Sequence, residues 1–145
     1  MSKDLLQKIS AHVESLGFTV NMTRSREGDV SYKAVPQTDG KSEFSFWEYS
    51  AGVIFMAGFI STLPEPDAHP LERLQWTNGL SENFFVSRIV WVTGGGIFSE
   101  ASYPKVYDNE AFNLFIARWF YEIDTALADK ANVEKFLGAG LNLDA

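Results

Sequence analysis

The chain has 145 residues and a formal charge of -7, from 19 acidic against 12 basic side chains, with the lysines and arginines scattered rather than clustered. Such a field repels phosphate backbones and anionic lipid, so neither nucleic acid nor a membrane is expected as a partner. The absence of cysteine rules out disulfides, thiolate metal sites and a cysteine nucleophile, and is compatible with a cytoplasmic address.

The length suits one domain over residues 1–145, with residues 129–145 forming a short C-terminal helix and tail. A chain of this size typically buries about 70% of the surface it exposes when unfolded, enough for a core without staples. The opening MSKDLLQKIS carries charge where a signal peptide needs an apolar stretch of about 7–15 residues. The longest apolar run, VIFMAGFISTL, is roughly half of what a membrane-spanning helix requires.

In chain order, SKDLLQKISAHVESLG places Leu5, Leu6, Ile9, Val13 and Leu16 on one stripe at helical spacing. Ser2 is its candidate N-cap and Gly17 its stop. From Phe18 the period becomes two: Phe18, Val20 and Met22 alternate with Thr19, Asn21 and Thr23, the mark of a half-buried strand. SREGD turns, and VSYKAV fits a second short strand. PQTDGKSE is dense in turn formers and leads into EFSFWEY and VIFMAGFIST, two strands of a hairpin broken at SAG. Phe44 and Phe46 share one face of the first strand, Trp47 and Tyr49 the other. In the second, Val53, Phe55 and Phe59 oppose Ile54, Met56 and Ile60, so both faces of this sheet are apolar.

Prolines 64, 66 and 70 precede a helix expected over about Ala68 to Thr77, with Leu71, Leu74 and Trp76 inward and Asn78-Gly79 as its end. FFVSRIVWV and GIFSEASY read as strands flanking Gly94, Gly95 and Gly96. DNEAFNLFIARWFYEIDTAL then carries Phe112, Phe115, Ile116, Trp119, Phe120, Ile123 and Leu127 at steps of three and four, with Asp108 as N-cap. One more short helix fits Asn132 to Leu137. The expected fold class is therefore α+β, an antiparallel sheet with flanking helices in the order α-β-β(-β-β)-α-β-β-α.

The triple glycine is the stretch most suggestive of chemistry. A phosphate-binding loop needs Lys followed by Ser or Thr after its glycines, and a dinucleotide loop needs a following helix; here Ile97, Phe98 and Ser99 follow and continue as a strand. A hairpin tip, which needs positive φ, explains the glycines. Glu65, Asp67 and His69 alternate in a way that can line up metal ligands, but prolines surround them and Asp67 suits a helix cap. Glu122 with Asp124, and Glu110 near Asp108, read as a solvated polar helix face, since nothing in the sequence requires a buried acid. No catalytic residue, metal site or cofactor is expected.

What remains is apolar surface. Leaving a side chain such as Phe55, Trp47 or Ile54 exposed forgoes about 1.5–3 kcal/mol each. Either helices flank the sheet on both sides, or a second molecule covers one face, a symmetric homodimer being the usual outcome. Trp47, Tyr49 and Met56 are the candidate partner-binding residues.

ERLQWTNGLSENFFVSRIVWVTGGGIFSEASY, followed by the long final amphipathic helix, resembles the bacterial YbjN family, whose fold is shared with type III secretion chaperones. Asn78 matches a recurrent Asn of that family, and Gln75 stands where another Asn is frequent. The resemblance covers about residues 68 to 128, and the first half only through its helix-then-strands order. Glycines replace the acidic hairpin turn common in YbjN-like sequences, and the first sheet region is more aromatic. The resemblance implies a type III secretion chaperone-like fold with no catalytic residues to carry over. Secretion chaperones of this fold look like small acidic dimers that bind an extended client segment. The expected function is thus a non-enzymatic protein-binding module, chaperone-like or regulatory. The alternative is an enzyme or small-ligand-binding domain with a pocket between helix and sheet.

Overall fold

In a computed structural model, which describes residues 2–138, the elements run α1 (Ser2–Ser15), β1 (Phe18–Arg24), β2 (Val30–Pro36), β3 (Phe44–Tyr49), β4 (Gly52–Ile60), α2 (Pro70–Glu82), β5 (Ser87–Val92), β6 (Gly96–Pro104), α3 (Asn109–Ala128) and α4 (Lys130–Phe136). The side chain of Ser2, a candidate cap, and the tail from 139 onward lie outside the described residues. The fold is α+β: six antiparallel strands form one open sheet in the order β1-β2-β3-β4-β6-β5. The first four strands meander; the chain then crosses through α2 to the far edge and returns by a hairpin to lie beside β4.

The strand register places all the strand residues of the two buried clusters on one face of the sheet. The larger unites Leu5, Ile9 and Val13 of α1 and Phe112, Ile116, Trp119 and Ile123 of α3 with Phe18, Ala34, Phe44, Phe46, Val53, Phe55, Ala101 and Tyr103. The smaller joins Trp76 of α2 and Val133 and Phe136 of α4 to Ile89 and Ile97. The helices therefore lie on one face of the sheet. Aromatic contacts tie the layers: Trp119 meets Phe44 edge-on at 5.1 Å, Phe112 meets Tyr103 edge-on at 5.0 Å, and Trp76 stacks on Phe136 at 5.4 Å. The indole N–H of Trp119 donates to Ser99 Oγ at 2.9 Å, so the buried hydroxyl is satisfied.

The caps at Gly17 and Asp108 follow the sequence reading. Gly17 has φ 96 and its N–H donates to Glu14 O, while the Asp108 carboxylate accepts the Ala111 N–H at 2.8 Å. α2 departs from it. It begins with Pro70 at its first position and runs through Asn78 and Gly79 to Glu82. Leu71 and Leu74 are 66% and 51% exposed rather than inward, because α2 packs on the edge strand β5 and buries only Trp76 and Thr77. Asp67 does not cap it; the cap position is His69, held left-handed at φ 56 and ψ 54 with no side-chain cap bond.

Candidate partner-binding surface

The sheet face opposite the helices carries the alternate side chains of every strand. The strand register lays them in rows: Trp47 and Ile54 with Ser102; Lys33, Ser45, Met56, Glu100 and Arg88; Gly58, Phe98 and Val90; Ile60, Gly96 and Val92. Reading across the rows, the apolar residues form a diagonal stripe from Tyr49 on β3, through Trp47, Ile54, Met56 and Phe98, to Val92 at the tip of β5. Polar and charged residues border it. Lys33 pairs with Glu43 at 3.3 Å on one side and Arg88 with Glu100 at 3.1 Å on the other.

The three residues singled out from the sequence all lie on this face. Trp47 and Met56 line one groove, while Tyr49 stands at the stripe's far end beside a separate cleft with Lys8, Glu48 and Lys105. The Tyr49 hydroxyl reaches across β4 to Ser102 Oγ at 2.7 Å, which pins its ring to the sheet. The groove has a volume of about 470 Å³. Its floor is made by small residues, Ser31, Ser45, Gly58 and Gly96, and its walls by Trp47, Met56, Phe98, Val92 and the 76% exposed Ile60. Gly58 creates the hollow: it sits mid-strand on the open face, and a Cβ built there meets nothing within 4 Å. Sequence reasoning missed Gly58 and Phe98. A lone glycine inside a strand marks a bulge as readily as a hollow, and only the register shows Phe98 beside it.

The triple glycine is a hairpin tip that also walls the groove. Gly95 N–H donates to Val92 O at 2.9 Å, and Gly94, third in that turn, takes φ 74, which a type II turn demands. Its N–H donates to the Asp67 carboxylate at 2.8 Å, and the Trp91 indole donates to the same group at 3.1 Å. The amide a phosphate would need is thus already bound to an internal anion. These bonds, from Gly94 first and then Trp91, with Arg73 nearby, hold the Asp67 carboxyl below its ordinary range against a smaller opposing effect of burial.

Of the other candidates, His69 lies near Glu72 and Arg88 pairs with Glu100, so these groups do not converge with Glu65. Among the described residues no three His, Asp or Glu side chains gather as a metal site. His12 is nearly buried, its Nδ1 2.8 Å from Tyr107 Oη and its Nε2 facing Asn113. Glu122 is a correction: it is not on a solvated face but wholly buried. Its carboxylate accepts the backbone N–H groups of Phe85, Val86 and Ser87, the Ser87 hydroxyl, and Arg118 Nε at 2.8 Å. Burial pushes this carboxyl up, but the bonds from Ser87, Arg118, Phe85 and Val86 outweigh it and leave it below the usual range.

No helix among the described residues is long and apolar enough to cross a membrane. The chain matches no protein-family model and no curated protein.

Proposed function

We propose that the protein is a non-enzymatic protein-binding module, a chaperone-like or regulatory adaptor of the YbjN type, acting in the bacterial cytoplasm. The observation that carries this reading is the sheet face that no helix covers among the described residues, with its continuous apolar stripe. Several large apolar side chains left facing water are a standing incentive for association, at about 1.5–3 kcal/mol for each one fully covered. Among the described residues the groove lining holds no titratable side chain, which supports binding rather than catalysis. A second feature supports strand addition: β1 is an edge strand whose outer residues, Met22 among them, are exposed, and no proline lies within it.

The test is recovery of bound proteins from the native host with tagged protein, run beside the Trp47→Ser/Tyr49→Ser double variant. A partner held by the wild type and lost by a folded double variant supports the reading. An identical set recovered by both contradicts it. Light scattering on the same samples shows whether the partner is a second copy.

A further inference from the structure

The shape of the stripe says which kind of partner fits it. At about 4.8 Å between strands and about 3.4 Å per residue, the line from Tyr49 to Val92 is roughly 30 Å long and two strands, roughly 10 Å, wide. It is inclined by roughly 30° to the strands. An α-helix with its side chains is about 10–12 Å across, and about 20 of its residues span that length. A second sheet is far wider. Laid on this face it would take Lys33, Glu43 and Arg88 out of water as well as Glu100, whereas a helix along the stripe meets only Glu100, beside Met56, which a basic side chain can pair. That cost applies equally to a second copy of this chain packed face to face. A single extended strand needs backbone partners, which the interior of a sheet face does not offer.

The stripe also has internal texture that suits a helix. The Gly58 hollow lies between Met56 and Ile60 along β4 and beside Phe98 on β6, an opening for one bulky side chain about two-thirds of the way from Tyr49 to Val92. Tyr49, pinned to Ser102, closes one end, and the glycine hairpin closes the other. The charge of -7 opposes an acidic helix and steers a basic one.

Resting on the reading of the open face as a partner surface, we infer that this stripe receives one amphipathic helix of a partner protein, apolar on the face toward Gly58 and net basic on the other. The side chain that fills the Gly58 hollow anchors the helix; its neighbours about four residues away reach Met56, and those about seven and about ten residues away, in opposite directions, reach Val92 and Trp47.

The test uses the full chain, isotope-labelled, and three synthetic peptides of about 20 residues. One carries Leu at helical spacing with Lys elsewhere, the second has the same composition in strict alternation, and the third is the helical pattern with Glu in place of Lys. The expected result is that the helical Lys peptide moves the amide signals of Trp47, Met56, Gly58 and Phe98. Gly58→Phe should weaken that binding at least tenfold while leaving the amide spectrum folded, because a Cβ there meets nothing within 4 Å and the ring enters the open groove. Equal or tighter binding of the alternating or the Glu peptide on the stripe overturns the helix inference. So does undiminished affinity in Gly58→Phe, or self-association through the stripe. In the case of the alternating peptide or a second copy, the open face survives as a partner surface. If neither any peptide nor a second copy perturbs the stripe, both readings fall.

Discussion

The carboxylate of Glu122 on α3 accepts both the backbone N–H of Ser87, at 3.0 Å, and its hydroxyl, at 2.6 Å, and so fastens the start of β5 to a helix 35 residues away. The neighbouring N–H groups of Phe85 and Val86 converge on the same carboxylate. The clamp thereby displays the 84% exposed Phe85, whose ring lies 4.6 Å from the Arg118 guanidinium.

Removing this clamp strands three amides and a cation together. Glu122→Ala is expected to destabilise the fold by about 3 kcal/mol, and Glu122→Gln by less because one acceptor oxygen remains. Urea unfolding of both variants checks the order. The folded carboxyl titrates below its unfolded value of 4.5, so its contribution is complete above that pH and fades as pH falls through the lower, folded value. Wild-type stability should therefore decline below pH 4.5 more steeply than that of Glu122→Gln.

Adjacent residues of β3 face opposite layers, and their substitutions should separate fold from surface. Phe46 is fully buried, stacked on Phe55 at 5.3 Å, whereas Trp47 lines the open groove. Phe46→Ala is expected to cost about 3–5 kcal/mol, and Trp47→Ser about 1 kcal/mol because part of its surface is already in water. Equal losses on denaturation would place Trp47 in the core.

The three glycines of the β5–β6 hairpin should not tolerate alanine alike. A Cβ on Gly96 would strike the backbone of Phe59 and Ser61, and one on Gly94 meets nothing but sits at φ 74. On Gly95 it would lie 3.3 Å from a methyl group of the partly exposed Val92 side chain, with no closer backbone contact. The expected order of destabilisation is Gly96→Ala largest, Gly94→Ala about 1–2 kcal/mol, and Gly95→Ala smallest. Thermal melts of the three variants decide it.

His69 occupies a left-handed conformation at the cap of α2, where a side chain is strained. His69→Gly removes that strain and loses only an exposed pairing with Glu72. It should raise stability by up to about 1 kcal/mol, measured as a higher urea midpoint at unchanged slope.

The sequence displayed the parts whose environment is set by their own period. α1 and α3 each present one apolar stripe to one layer, and the strands alternate because their faces differ, so Phe46 and Trp47 could be assigned to opposite sides. α2 was illegible because it lies along the sheet's edge strand, where Leu71 and Leu74 find no layer to enter and Trp76 and Thr77 turn inward. Glu122 was illegible for a different reason. Three of its partners are backbone amides of residues 85–87, which carry no residue-type signature, and its pairing with Arg118 four residues earlier reads equally well as an exposed helix pair. At the candidate surface, Trp47, Tyr49 and Met56 were visible as apolar residues of a sheet apolar on both faces, with no sign of which face the helices take, whereas Gly58 gained meaning only once the register set Phe98 beside it.

The most direct measurement of the central claim is photo-crosslinking in the native host from a benzophenone side chain placed at Met56, with one at the exposed helix position Glu14 for comparison. The account predicts a discrete adduct with another protein from position 56, absent from position 14 and abolished when Gly58→Phe is combined with the probe. Adducts of equal yield from both positions, or adducts from 56 that persist with Gly58→Phe, would contradict it.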